Sequence, residues 1–401
     1  MSTKKINLNV NLMLSFIVFS MLLNSMSVII LQLSQNQQHS YTGLGMLEFF
    51  KDIPIALVSI FMVDYIKKRS YYSSLSIALI ICTLCSFTIP FVSEFWFLKI
   101  WFILIGISFS IGKICVFSII KNISDNEKDF SKTMSRTEAA FMLGVFIVNI
   151  EFAIILNSDY KDYWKFGFWL VGIISSWAAF QFYRIDKQNV FEIDKSQSKE
   201  VIDFRILFDY KSILFFTIVV IIVFTEQIFN SWLPTFYKHT LKADSFFALQ
   251  SSAFLALFSF IGRLLASKAV VKFSPMKIFF FCLISGIILT SSAYIIGQDT
   301  DVKVKILMFL FPMVGIFTAP LYPMLNSKYL SKFSERRVGK IVSIIILFTS
   351  LGGSIGSMST AYIFQKNLGN YYLLFATIPL ILILIFSTFF SIKEKISEYI
   401  K

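Results

Sequence analysis

Histidine, cysteine and charge are all scarce in this 401-residue chain: two histidines, four cysteines, and only 15% Asp, Glu, Lys and Arg. His39 and His239 stand too far apart in sequence to suggest a cluster of metal ligands, and no catalytic constellation is evident. Cys82, Cys85, Cys115 and Cys282 all fall in apolar stretches, which argues against a disulfide framework or a zinc site. Cys82-x-x-Cys85 reads as two small core residues. With no Walker motif and no long polar segment, the chain offers neither an ATP-binding domain nor another soluble one. No cofactor and no metal is expected.

What the chain has is hydrophobicity: 56% apolar residues, 47 phenylalanines and a mean hydropathy of +0.72. Apolar runs of at least about 18 residues recur throughout, the mark of membrane-spanning helices rather than the shorter alternating segments of a barrel. The fold expected is all-α and integral to the membrane. A net charge of +13 in a soluble protein would point to nucleic acid, but here the positive residues concentrate in alternate loops, so the lipid bilayer is the partner and nucleic acid is not.

Twelve transmembrane helices are predicted, at roughly 9–33, 43–63, 74–93, 97–119, 137–156, 166–183, 212–233, 246–266, 278–297, 306–326, 341–363 and 370–392. The first run continues to Leu33 without a small-residue cleavage site, so it reads as a span and not a removed signal peptide. Of the 37 Lys and Arg residues, 26 fall in the loops of one side and 7 in those of the other, which predicts cytoplasmic termini in a multi-pass protein of the inner (cytoplasmic) membrane. The polar stretch 184–211 divides the chain into two pseudo-symmetric six-helix bundles, 1–183 and 212–401, joined by a cytoplasmic linker. Superposing Leu104 to Lys113 on Met313 to Tyr322 aligns Gly106 with Gly315 in corresponding spans, as an internal repeat would.

Charge within the spans is selective. A charged side chain at mid-bilayer costs at least ~2.5 kcal/mol, so such residues face protein or water. Spans 3, 6, 9 and 12 carry none and can face lipid, whereas Glu48, Lys51, Asp52, Lys113, Glu138, Glu151, Glu226 and Arg263 mark spans 2, 4, 5, 7 and 8; spans 1, 10 and 11 are also uncharged, so the charge pattern suggests a threefold period without fixing it. An enclosed polar pathway is the simplest account.

These features resemble the major facilitator superfamily: twelve spans in a 6+6 division, inside termini, and a basic turn after span 2. Of that family's G-x-x-x-D-x-x-G-R-K pattern, Asp64, Lys68 and Arg69 remain, while Ile60 and Lys67 replace its glycines. The second-half copy keeps Gly262 and Arg263 but has Ala266 where the acid would stand. The segment from Glu226 through Asn230 and Trp232 to Pro234 is similar to the fucose/glucose-galactose proton-symporter branch, and span 5 lacks the glycine-proline antiporter motif. The resemblance implies spans 1, 4, 7 and 10 around a central cavity, 2, 5, 8 and 11 at a rocking interface, and 3, 6, 9 and 12 outside.

Glu226 is the first candidate for proton coupling and Asp52 or Glu48 the second; a buried, hydrogen-bonded acid is the plainer reading of each. Asn24, Lys113, Asn230, Trp232, Tyr322 and Asn326 are candidates for binding solute, although aromatics this abundant more often only pack. Lys113 and Glu138 are expected to form a structural ion pair. Arg263, with Lys51, Asp64, Lys68 and Arg69, reads as gating or structural charge; Asp64, Lys68 and Arg69 serve equally well as a positive-inside anchor. The function expected is a monomeric secondary transporter moving a small polar organic solute, with protons, by alternating access. A polytopic enzyme acting on lipid-linked substrates and a transporter-derived sensor are the alternatives.

Overall fold

The computed structural model describes residues 2–35, 40–62, 65–66, 69–92, 94–124, 127–187, 209–270, 272–297, 310–330 and 335–399. Asp64, Lys68 and most of the linker lie outside them; Arg69 is exposed, two residues before the next helix begins at Tyr71. Among the described residues the chain is helical, because a backbone in hydrocarbon must satisfy its hydrogen bonds within each segment. Ten helices among the described residues are long and apolar enough to cross a membrane, including span 4 (Phe95–Ile123), span 7 (Tyr210–Thr235) and span 8 (Ser245–Ala269). Spans 2 and 10 complete the twelve in broken form, span 2 as Tyr41–Gly45 and Leu47–Phe61, span 10 as Val314–Thr318 and Leu321–Leu330.

Three of the twelve spans are interrupted along their length. In span 10 the cause is proline: Pro320 and Pro323 have no N–H for the carbonyls of Ile316 and Ala319 four residues earlier, so the helix parts between Thr318 and Leu321. The turn at Met46 in span 2 is slight: its backbone stays helical (φ −65°, ψ −20°) and its N–H still bonds the Thr42 carbonyl at 3.0 Å. Span 1 likewise runs as Ser2–Asn24 and Met26–Gln35 with a turn at Ser25.

Both halves pack their helices alike, and glycine sets the closest approaches. A Cβ on Gly106 of span 4 would collide with the Lys51 carbonyl of span 2, and one on Gly315 of span 10 would come 2.7 Å from the Leu255 carbonyl of span 8. The aligned glycines thus do equivalent work. In the same way Gly144 of span 5 (Glu127–Leu156) seats on Ile17 of span 1, and Gly352 of span 11 (Glu335–Gln365) seats on Val220 of span 7. The halves meet along two seams, span 2 against span 11 and span 5 against span 8. Span 3 (Tyr71–Thr88), span 6 (Phe168–Lys187), span 9 (Pro275–Gly297) and span 12 (Tyr372–Tyr399) lie outside. Burial follows this layering, from 83% of the apolar window in span 1 to 39% in span 9, which shows Phe281, Ile284 and Ile288 outward.

The glycine contacts predict unequal responses to one added methyl group. Gly106→Ala forces side chain onto backbone and should destabilise by about 1–3 kcal/mol. Gly286→Ala, whose Cβ meets nothing nearer than 3.7 Å, should be nearly neutral. Thermal unfolding of the two detergent-solubilised variants checks the contrast.

Candidate functional site

A cavity of about 170 Å³ lies between the halves, walled by residues of spans 1, 2, 4, 5, 7, 8, 10 and 11. Its walls carry three basic side chains, Lys51, Lys113 and Arg263, and three carboxyls, Asp52, Glu138 and Glu226. Asn24, Gln227, Asn230 and Tyr322 add neutral polar groups. A second void of about 20 Å³, on the order of one water molecule by the ~10–15 Å³ criterion, shares Glu226, Asn230 and Arg263 with the first.

On the first seam, Lys51 of span 2 pairs with the buried Glu48 one helical turn earlier and stands 3.8 Å from Asp52. Span 7 completes the acid's shell: Gln227 Nε2 and Ser231 Oγ donate to Glu48 Oε1 at 2.6 and 2.7 Å. Span 11 reaches Asp52, where Ser354 Oγ donates to Oδ2 at 3.0 Å. Gly353 lies under the same oxygen, since a Cβ there would stand 2.8 Å from it. The glycines of span 11 therefore have separate tasks: Gly352 and Gly356 fit the span 7 backbone, and Gly353 clears room for the acid.

On the second seam Arg263 of span 8 joins the halves. Its guanidinium makes a 3.2 Å salt bridge to Glu138 of span 5 and lies 4.0 Å from Glu226 of span 7. Its Nε donates to the Ala319 carbonyl at 3.3 Å, the oxygen that Pro323 leaves without a helical donor. The proline break thus supplies an acceptor that helps fix the arginine. The expected Lys113–Glu138 ion pair is corrected: Glu138 is taken by Arg263, whose Nη1 donates to both the carboxylate and the backbone carbonyl of Glu138. Lys113 instead sets its ammonium 5.6, 5.7 and 6.0 Å from the ring centres of Phe109, Phe117 and Tyr322. Lys113 and Tyr322 occupy matching positions of the aligned segments, so the repeat brings them face to face.

At one end the cavity is capped by aromatic rings. Tyr41 of span 2 packs against Trp232 and Phe364 of the other half at 6.3 and 5.9 Å, while Trp232 and Phe364 stack at 5.6 Å. The Tyr41 amide donates to Gln365 Oε1 at 3.0 Å, and Ser34 Oγ lies 3.2 Å from His239 Nε2. Trp232 belongs to this cap, fully buried with Nε1 donating to Ser357 Oγ at 2.9 Å, and does not wall the cavity. Asn326 and Glu48 are also set back behind its walls. Glu151 is not part of it, and its Oε2 is buried without a hydrogen-bond partner. Sequence reasoning gave no role to Ser231, Ser354, Tyr41 or Gln365; nothing in their chemistry stands out until the seams are assembled.

Removing the Tyr41 ring should loosen this cap. Tyr41→Ala is expected to speed modification of a cysteine placed at Asn24 by a membrane-impermeant thiol reagent, measured in a background freed of the four native cysteines.

The sequence profile of the Major Facilitator Superfamily matches residues 8–357. The chain belongs to that superfamily. No curated protein matches the sequence. Among solved structures, this facilitator is similar to a D-xylose-proton symporter, with a TM-score of 0.76 at 15% identity over 94% of this chain and 96% of that one. It is also similar to a bacterial homolog of the human lysosomal transporter Spinster, inward-facing and unoccupied, with a TM-score of 0.70 at 13% identity over 96% of each chain. A variant of the E. coli fucose:proton symporter FucP gives 0.66 at 15% identity, over 95% of this chain and 98% of that one. At these identities the likeness establishes the twelve-helix transporter fold.

Proposed function

We propose that this facilitator is a secondary active transporter that carries a small polar organic solute with protons, its two bundles rocking about a central site. The observation that carries the reading is the cavity itself: side chains of opposite charge from both halves converge where a rocking motion would part and rejoin them. Both termini lie in the cytoplasm on this reading, so the aromatic cap closes the outer side of the inner membrane. The unit is a monomer, with 184–211 joining the two bundles.

The charge count supports coupling to protons. Glu48, Asp52, Glu138 and Glu226 are four carboxyls against the three cations Lys51, Lys113 and Arg263. Full ionisation would leave one excess negative charge in a poorly solvated place, which a single bound proton removes. Glu226 is the proton's seat: Glu48 is held by Lys51, and Glu138 by Arg263. Its Oε1 is buried and, among the described residues, takes no hydrogen bond, with Arg263 Nη2 standing 4.0 Å away. Two of the similar structures are named as proton symporters, which agrees with the reading. Uptake of a labelled solute panel into proteoliposomes, with and without an inside-alkaline gradient, tests it. Accumulation that follows the gradient is expected; binding with no exchange of label would favour a sensor.

A further inference from the structure

The pairing pattern goes further, to the class of solute, and this step rests on the transport reading above. Lys51 is committed to Glu48, and Arg263 to Glu138 and the Ala319 carbonyl. With the proton on Glu226, two charges on the cavity wall have the weakest counter-charges. One is Lys113 of span 4, which forms no ion pair among the described residues and has three aromatic rings as its close contacts, with Glu138 acting on it only from beyond ion-pair distance. The other is Asp52 of span 2, whose neighbouring lysine is drawn to Glu48 and whose Oδ2 takes one hydroxyl, from Ser354. They come from different helices and both line the same space.

We infer that the solute is a small dipolar ion, an amino acid or a close analogue, with its carboxylate at Lys113 and its ammonium at Asp52. A solute of this kind matches both charges and brings no net charge of its own. A neutral sugar would leave the Lys113 ammonium without a close counter-ion and Asp52 with only a lysine it shares with Glu48. A simple carboxylic acid or a simple amine would satisfy one and strand the other. A cavity of about 170 Å³ is below the ~300–1,000 Å³ of drug-sized pockets, which suits a molecule of this size.

The test is ligand-induced thermal stabilisation of the purified full-length protein, a readout of binding that does not depend on transport. The probes are the twenty common amino acids and β-alanine, set against lactate, isopropylamine, D-xylose and L-fucose. Stabilisation by one or more amino acids and by none of the four controls is expected. Losing one charge-assisted contact should weaken that binding about 10- to 100-fold in both Lys113→Gln and Asp52→Asn, with Lys113→Arg retaining more of it than Lys113→Gln. Stabilisation by a control, none by any amino acid, or unchanged affinity in Lys113→Gln overturns the inference. Proton-driven accumulation of D-xylose alone would overturn it while leaving the transport reading intact. An amino acid that binds but never accumulates would do the reverse.

Discussion

Replacing Glu226 by glutamine is expected to abolish proton-driven accumulation while sparing exchange. Each pH unit is worth about 1.4 kcal/mol, so with one proton per solute a gradient of two units supports up to ~100-fold accumulation by the native protein. In Glu226→Gln the solute should only equilibrate. The amide copies the shape of the protonated carboxyl and leaves the three cations balanced by Asp52, Glu138 and, behind the wall, Glu48, so folding should survive. Label exchange at zero gradient should stay within about threefold of native, a difference of ~0.6 kcal/mol. Accumulation and counterflow, measured in the same vesicles, separate the two effects. Undiminished accumulation would move the proton to Asp52 or Glu48.

The second large effect is expected at Arg263. Truncation to alanine strands Glu138 and Glu226 without their cation and leaves the Ala319 carbonyl without a donor. Both the Arg263 and Glu138 side chains are largely shielded, at 9% and 21% exposure, so the loss belongs to the buried-pair class and should reach about 3–5 kcal/mol. Arg263→Lys should recover only part of it, because a single ammonium cannot serve carboxylate and carbonyl as the guanidinium does. Neutralising both partners, in Glu138→Gln with Arg263→Gln, should cost less than Arg263→Ala, since no charge is left alone. Unfolding midpoints in detergent order the three variants. If the double variant proves the least stable, the bridge is not a balanced pair.

The sequence carried part of the layering because the bilayer makes charge expensive: spans 3, 6, 9 and 12 are uncharged and outer, and the walls of the cavity include most of the charged positions, but spans 1, 10 and 11 are uncharged too and wall the cavity. Gly106 and Gly315 could be aligned from sequence because the halves use them for the same close approach. Partner choice was not legible. Spans apolar all round have no amphipathic stripe to fix their rotation, so depth alone suggested pairing Lys113 with Glu138, whereas span 8 turns Arg263 into that place. Trp232 could not be told from Tyr322 as a cavity residue, because aromatics are plentiful and only packing assigns one to the cap and the other to the cavity. Pro320 and Pro323, which leave two carbonyls without helical donors, account for the break in span 10, whereas the slight turn at Met46 has no proline beside it.

The central claim is that the ionised residues surround water held between the two bundles. Single cysteines at Asn24, Asn230 and Ile284, in a background without native cysteines, test it through reaction with a small water-soluble thiol reagent. Reaction at Asn24 and Asn230, slowed by bound solute, with none at the lipid-facing Ile284, is the result predicted. Inert thiols at both cavity positions, or a reactive one at Ile284, would contradict it.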